Sequence, residues 1–340
     1  MIELKSDGLV FAFPEVHPES VIRMDFMRTL RIPDDGKTYF LPPGLGTFPL
    51  RHVDDFKDRV PPAWAVHGGV MLPMYQAEAL WLNFHTHFDT PYPFLIRIGT
   101  GKINAVTGKL WSDRVGWNPQ DYVVAPKQLW LDGYCAGEGE IRQFVAMPLG
   151  RGYTVEEQIT GRAEHGGLQI VVHPMKGDIY ETYKELRRRE PTVCPALQAE
   201  EPALRYDQST EMGLAPGGRM KQAIYDDPYN FEDWDLNHRS RCFVHIANSI
   251  AWKAMTGEKP PTDPPTAEQY NSMGLPWFDC YDADAKMLND SAGMLEVRSV
   301  AQMSAQKAEN VLPENRSFET GNVISLNDAE RTRLVRDEEE

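Results

Sequence analysis

The chain has 340 residues, a formal net charge of −15, and hydrophobic and aromatic contents of 41% and 10%. This apolar content suffices for the packed core of one large domain or two ordinary ones, and it excludes a wholly disordered chain. The negative charge disfavours binding to nucleic acid or an anionic membrane and suits a cationic or neutral partner. No apolar stretch is long enough to span a bilayer, and the start lacks a secretory pattern, so we expect no membrane association.

Cysteine usage indicates the compartment. Cys135, Cys194, Cys242 and Cys280 are widely spaced and form no pair separated by two residues. In a chain of this size, such cysteines are more typical of free thiols than of a disulfide framework. We therefore expect a reducing compartment, with the cytoplasm as the address.

Short apolar runs punctuated by glycine and proline predict strands through the first half of the chain. One run, 22–32, ends in a turn at 33–36. The segment 77–84 is favoured as a strand over a helix because its apolar residues alternate. Runs at 94–98 and 103–106 flank a glycine-rich hairpin turn. Residues 153–160 are expected to form a late strand. The pattern predicts a mainly antiparallel sandwich or barrel-like body over residues 1–176.

The second half is predicted to be less regular and more helical, giving an α+β fold. Residues 177–241 form an irregular connector with short helices at 179–190 and 219–225, and it includes an acidic, aromatic run at 226–235. Residues 242–303 form a helical region that packs on the body. Its first helix covers 242–255, with a strand over 242–246 as the alternative. Residues 304–340 form a polar tail that is disordered or docked on a partner.

The sharpest local pattern is a pair of histidines, His85 and His87, followed by Asp89. On a strand, residues two apart point to the same face, and neutral imidazoles there can bind zinc or a similar divalent metal. The pattern resembles the histidine pair of the amidohydrolase superfamily, but the likeness covers five residues, and the surrounding strands depart from that family's alternation of strand and helix. The alternative is that both are loop histidines, solvated or bonded locally.

Other histidines and the cysteines offer further chemistry without a demanding spacing. Candidate additional metal ligands are His165, His173, His238, His245, Asp235 and Asp282. A nucleophile would use Cys135 or Cys242 with His173 or His245, because a helix would bring Cys242 and His245 onto one face. The alternative is that Cys242 is a small core residue.

Glycines followed by basic residues suggest an anion site. Gly217 and Gly218 precede Arg219 and Lys221 where a helix is expected to begin. Free backbone N–H groups at a helix start, with two cations, could hold a carboxylate or phosphate. The alternative is a connecting loop with solvated basic side chains.

Three phrases carry a wider resemblance: residues 28–36, 143–150 and 274–278. They are similar to a widespread family of functionally uncharacterised proteins, over most of the chain. The resemblance implies no activity and assigns no functional residue.

The sequence therefore favours a cytoplasmic ligand-binding or self-assembling protein without catalysis, as a homo-oligomer or with a protein partner. The alternative is a metal-dependent hydrolase that uses the His85 and His87 pair. An anion-dependent regulator using residues 217–221 is a third hypothesis. The sequence leaves the cofactor unknown, with a divalent metal as the candidate.

Overall fold

A computed structural model describes most of the chain. The described residues are 1–87, 91–187, 211–261, 263–279, 286–288, 292–294, 296–310, 312 and 315–325. Strands outweigh helices among them, which confirms a mainly antiparallel, β-rich α+β architecture.

Nineteen strands are formed in the described residues. In chain order they are β1 Ile2–Lys5, β2 Gly8–Ala12, β3 Val21–Leu30, β4 Thr38–Tyr39, β5 Gly44–Thr47, β6 Arg51–His52, β7 Val70–Pro73, β8 Glu78–His85, β9 Phe94–Thr100, β10 Ile103–Asn104, β11 Val123–Ala125, β12 Trp130–Leu131, β13 Gly133–Gly137, β14 Glu140–Pro148, β15 Leu168–Pro174, β16 Glu211–Lys221, β17 Ser240–Ala247, β18 Trp277–Asp279 and β19 Val323–Ser325.

The helices are short and lie between or after these strands. The α-helices are α1 Pro62–His67, α2 Val155–Thr160, α3 Gly177–Arg187, α4 Ser249–Thr256, α5 Ala267–Ser272 and α6 Val300–Gln306, and the 3-10 turns are Val53–Phe56, Phe231–Asp233 and Ala292–Met294. No helix in the described ranges is long and apolar enough to cross a bilayer.

The first seventeen strands form one branched network of hydrogen-bonded pairs. A continuous path runs β1, β2, β3, β8, β14, β16, β17, β15, β9 and β11, each strand pairing antiparallel with the next. Within the described residues the parallel pairings are β16 with β4, β17 with β7, and β18 with β19. The sheet continues past residue 176, because β16 and β17 lie in the middle of the path. The proposed division into domains stays a prediction.

Alternation of buried side chains explains the strands that the sequence predicts correctly. In β8, Leu80 and Leu82 are fully buried, whereas Trp81 and Asn83, which alternate with them, are partly exposed. The preference for a strand over a helix at 77–84 is confirmed. The hairpin is confirmed as well: β9 pairs antiparallel with β10 across Gly101, whose φ of 56° favours glycine.

The segment predicted as a strand at 153–160 is a helix instead, α2. Thr154 caps its start: the hydroxyl accepts from Glu157 N at 3.2 Å, and Glu157 Oε2 accepts from Thr154 N at 3.2 Å. This reciprocal cap satisfies the backbone N–H groups of Thr154 and Glu157, which have no hydrogen-bond partner within the helix. Gly161 then ends the helix in the left-handed conformation. Local capping therefore outweighs the weak alternation.

Two predicted helices of the second half also require correction. The helix expected at 219–225 is wrong, because residues 219–221 end the long strand β16. The helix expected over 242–255 is a strand as far as Ala247, followed by α4 from Ser249. The strand alternative for 242–246 is thus confirmed. Asn248 separates the two elements, since its side chain accepts from Ala251 N at 2.7 Å and caps α4. The helix expected from Ile179 is confirmed over the described residues as α3.

One large apolar core fills the body, and a smaller one supports α1 and α4. The small core contains Trp64 of α1 and Trp252 of α4, packed with Val53, Met71 and Met255. This core fixes the position of α1 against β7 and β17.

Candidate functional site

Within the part of the chain that the structure describes, His85 and His87 are not grouped with other side chains that could hold a metal ion. His85 is the last residue of β8, so the argument that a strand aligns His85 with His87 does not apply. His85 Nε2 lies 3.1 Å from Asp25 Oδ2. No group of three or more histidine, cysteine or carboxylate side chains in the described ranges is placed to hold a metal ion. Asp89 lies outside those ranges, so the proposed site stays a prediction.

The remaining candidate metal ligands are scattered. His173 Nδ1 lies 3.2 Å from the carbonyl of His238, whose ring in turn lies 2.7 Å from Asp235. Burial lowers the pKa of His173 to about 4. His165 and His245 line a separate cleft. Asp282 lies outside the described residues.

The glycines and cations of the anion hypothesis lie within β16. The β-carbon of a residue other than glycine would come within 2.7 Å of Val145 Cγ1 at Gly217 and within 2.2 Å of Pro33 O at Gly218. These glycines therefore allow close packing in a sheet and do not open a helix. Lys221 Nζ donates to Asp279 at 2.9 Å, and Arg219 lies 3.8 Å from Glu140. An anion would compete with both carboxylates, and the anion site stays a prediction.

The nucleophile hypothesis loses its geometric basis in the fold. Cys242 and His245 are three residues apart on β17, and residues at odd spacing on a strand point to opposite faces. Cys242 is buried, and this burial raises the pKa of its thiol to about 12. Cys135 is also buried. A thiolate, the reactive form, is thus disfavoured at Cys242.

We expect Cys242 to resist alkylation in the folded protein. Iodoacetamide at pH 8 should leave the Cys242 peptide unmodified over an hour, because the thiol is protonated and shielded. The same reagent should modify Cys242 fully in urea at a concentration well above the unfolding midpoint of the protein. Peptide mass spectrometry gives both extents. Rapid native labelling of Cys242 would restore the nucleophile hypothesis.

Two loops in the described residues form a cleft that is larger than the one lined by His165 and His245. The cleft has a volume of about 550 Å³ and is lined chiefly by residues 117–122 and 226–232. This volume falls within the range typical of small-molecule sites. We call it the Trp117 cleft. The two loops connect β10 to β11 and β16 to β17 and so come from distant parts of the chain.

Buried polar contacts anchor the first loop below Trp117. Asp121 accepts from the guanidinium of buried Arg97 at 2.6 and 3.2 Å, and the Asp121 carbonyl accepts from Asn104 Nδ2 at 2.7 Å. The loop closes on itself through Asp121 N, which donates to Gly116 O at 2.9 Å. Trp117 is therefore carried near the tip of a fixed loop.

The second loop is joined to the first through Gln120 and Asp227. Gln120 Oε1 accepts from Asp227 N at 2.9 Å, and Gln120 Nε2 donates to Tyr122 O at 2.8 Å. The Asp227 carboxylate accepts from Tyr122 OH at 2.7 Å, Trp234 Nε1 at 2.8 Å and Tyr229 N at 2.9 Å. Burial, followed by the bond to Asp227, raises the pKa of Tyr122. This hydrogen-bond network fixes the two loops relative to one another, so the cleft is formed without a ligand.

Aromatic rings and carboxylates face the cleft together. The Trp117 side chain is 64% exposed, and its ring stacks near Phe231 with centroids 6.3 Å apart and planes 27° apart. Asp226, Asp227 and Glu232 also line it, and the lining includes no lysine, arginine or histidine. No described residue forms a hydrogen bond with the side-chain carboxylates of Asp226 or Glu232. An exposed indole beside free carboxylates can attract a positively charged group.

The sequence contained a signal for part of this cleft. The acidic, aromatic run at 226–235 stands out by composition, but its partner loop around Trp117 lies more than a hundred residues earlier. A single sequence does not pair the two loops. Comparisons with family models, curated proteins and solved structures found no match to this chain. The resemblance to a widespread family therefore stays a prediction.

Proposed function

We propose that this is a ligand-binding protein that holds a small organic cation in the Trp117 cleft. The observation that carries the proposal is the combination of an exposed indole with three carboxylates in a lining that contains no basic side chain. This deepens the expectation, drawn from the net charge, of a cationic or neutral partner.

The chemistry of the lining favours a cation with an apolar surface. A cation over an indole face gains about 0.5–2 kcal/mol, more when water is excluded. Asp226 and Glu232 add Coulomb attraction, which salt screens because both are near the surface. A hydroxyl on the ligand would find acceptors in the same carboxylates. A small alkylammonium alcohol fits these features, and an anion does not.

Choline and its uncharged carbon isostere, 3,3-dimethylbutan-1-ol, test the proposal. The two molecules have nearly the same shape, so a difference in affinity reports the charge. We expect choline to bind at least tenfold more tightly, a difference of about 1.4 kcal/mol. Isothermal titration calorimetry at pH 7.5 and low salt measures both affinities, and raising the salt concentration should weaken choline binding alone.

Three variants locate the binding to the cleft. Trp117→Ala and Asp226→Asn should each weaken choline about fivefold or more, the size of one cation–π or charge contact. Lys176→Gln should tighten it, because Lys176 Nζ donates to the Glu232 carbonyl and adds positive charge nearby. Asp54→Asn, at a 63% exposed side chain outside the lining, is the matched control. Equal binding of the two isosteres, or unchanged binding after Trp117→Ala, would reject the proposal.

We also propose a reducing compartment such as the cytoplasm. The free, buried thiol of Cys242 supports this location. Self-assembly, a protein partner and metal-dependent hydrolysis stay predictions, since no contact in the described residues favours any of them over ligand binding.

A further inference from the structure

A second, smaller cleft lies on another part of the fold and is lined by three histidines. It has a volume of about 280 Å³ and is bordered by α1, the turn after β9, the loop before β15, and β17. His67, His165 and His245 reach it from three separate elements, together with the aromatic residues Trp64, Trp111 and Phe243. We call it the His165 cleft. The choline proposal does not involve it.

The charged residues of this cleft neutralise one another. Lys102 Nζ donates to Glu164 Oε2 at 3.1 Å, and Arg241 donates to Asp113 Oδ1 at 2.5 Å. Both cations among the lining residues are thus paired with both carboxylates. The cleft therefore favours an uncharged ligand.

Backbone carbonyls fix the proton position on two of the imidazoles. His245 Nε2 lies 3.0 Å from Gly68 O, and His67 Nδ1 lies 2.6 Å from Ala63 O. A carbonyl only accepts, so in each case the ring nitrogen beside it must carry the proton. Burial lowers the pKa of His245 to about 4, which leaves that ring neutral at pH 7, with Nδ1 as an acceptor.

His165 has a buried nitrogen whose hydrogen-bonding capacity is unused. Its Nε2 is buried without a hydrogen-bond partner in the described part of the chain, and Glu164 Oε2, at 3.7 Å, is beyond hydrogen-bond distance. Burial also lowers the pKa of His165. The side chain as a whole is 31% exposed, so its ring has room to turn and present Nε2 to a small molecule in the cleft. An unpaired buried polar atom calls for a partner, and a ligand in the cleft would provide one.

Aromatic rings form the walls on either side of these nitrogens. Trp64 stacks on His245 with centroids 4.7 Å apart and planes 20° apart. His67 meets both His165 and Phe243 edge-on, with centroids at 5.5 and 5.1 Å. Offset and edge-on contacts of this kind are the ones that aromatic rings prefer, and a further flat ring in the cleft could make them with its lining.

We propose that the His165 cleft binds a small uncharged aromatic alcohol, a phenol, with its hydroxyl on His165 Nε2. A hydroxyl both donates and accepts, so it satisfies this nitrogen in either neutral tautomer. The aromatic ring would lie among Trp64, Trp111 and Phe243. The size is suitable as well, because a cavity of about 150 Å³ accommodates benzene in another protein.

Phenol and toluene, which differ by hydroxyl against methyl, test this inference on the unmodified protein. We expect phenol to bind at least tenfold more tightly, because toluene leaves the His165 nitrogen unpaired. Benzoate should bind more weakly than phenol, since the lining cations are already paired. Calorimetry measures the affinities. Long-range ¹H–¹⁵N spectra of the imidazoles should show phenol shifting the His165 resonances and leaving those of exposed His52 in place.

His165→Phe should abolish the preference for phenol over toluene, while the exposed control His52→Ala should preserve it. Trp117→Ala should leave phenol binding unchanged, which separates this inference from the choline proposal. Toluene binding as tightly as phenol, benzoate binding more tightly, or unmoved His165 resonances would each overturn the inference. The ligand comparison and the spectra use the unmodified protein, so they decide the question even if a variant fails to fold.

Discussion

Glu78→Ala should lower the free energy of unfolding by about 3–5 kcal/mol, because it removes the carboxylate that pairs with a buried guanidinium. Arg28 Nε donates to Glu78 Oε2 at 2.8 Å, and the two side chains are 1% and 0% exposed. The other carboxylate oxygen accepts from Tyr75 N at 2.8 Å, so the substitution also frees a backbone donor. Urea unfolding followed by circular dichroism measures the change, which should appear in the midpoint with little change in the slope.

Two companion variants make the Glu78 prediction specific. Asp54→Ala removes a surface pair with Lys57, 3.1 Å long, and should change stability by less than about 1 kcal/mol. The double variant Arg28→Met with Glu78→Leu replaces both charges by apolar groups and should recover most of the loss. A loss below about 1 kcal/mol for Glu78→Ala would contradict the role given to this pair.

Asp132→Asn should remove a pH dependence of stability between about pH 4 and pH 7. Asp132 is buried, and this burial raises the pKa of its carboxyl to about 7, although Trp130 and Gln222 oppose the shift. In the unfolded chain an aspartate titrates near its ordinary value of 3.8. Between these values the folded protein holds a proton that the unfolded chain has lost, so stability falls as pH rises through this window.

The size of the effect follows from the difference between the two pKa values. The difference of roughly three pKa units corresponds to about 4 kcal/mol of stability. This stabilisation is present in full below about pH 4 and is completely lost above about pH 7. The asparagine has no charge to bury, and its amide oxygen can still accept from Gln222 Nε2, which donates to Asp132 Oδ2 at 2.6 Å. The variant should therefore exceed the unmodified protein in stability at pH 8 and match it at pH 3.5. Urea titrations across this range test it, and parallel curves for the two proteins would refute it.

The strands of the body were predictable where one face of a strand is buried. Alternation over 77–84 identified β8 because Leu80 and Leu82 enter the core while Trp81 and Asn83 do not. The α2 helix was misassigned although its cap, Thr154 and Glu157, is a local signal that could have been read. Capping residues deserve more weight than a loose alternation in a short segment.

The strand β16 could not be recognised from its local sequence, because it contains residues that usually indicate a turn. Pro216, Gly217 and Gly218 are typical of a turn, yet they lie in an extended strand beside β14. The small size of the two glycines is required by Val145 and Pro33, which approach from distant segments. Such a requirement belongs to tertiary packing, and no window of neighbouring residues contains it.

Both clefts depend on the same kind of long-range placement. The sequence marked His165 and His245 as possible ligands but could not bring His67 to them, because tertiary packing around Trp64 and Trp252 places α1 against β17. It likewise marked the aromatic run that contains Phe231 and missed Trp117 as its neighbour. The residue types were visible, whereas their grouping was not.

The central position of β17 has a consequence for synthesis on the ribosome. This strand pairs antiparallel with β15 and β16 and parallel with β7, and its last residue is Ala247. Until that residue has emerged from the exit tunnel, the nascent protein exposes two apolar strand borders with nothing to cover them, a form open to association with neighbouring chains. The first half of the body therefore cannot complete its sheet until late in synthesis, and protection by a holding chaperone would be most useful during that interval.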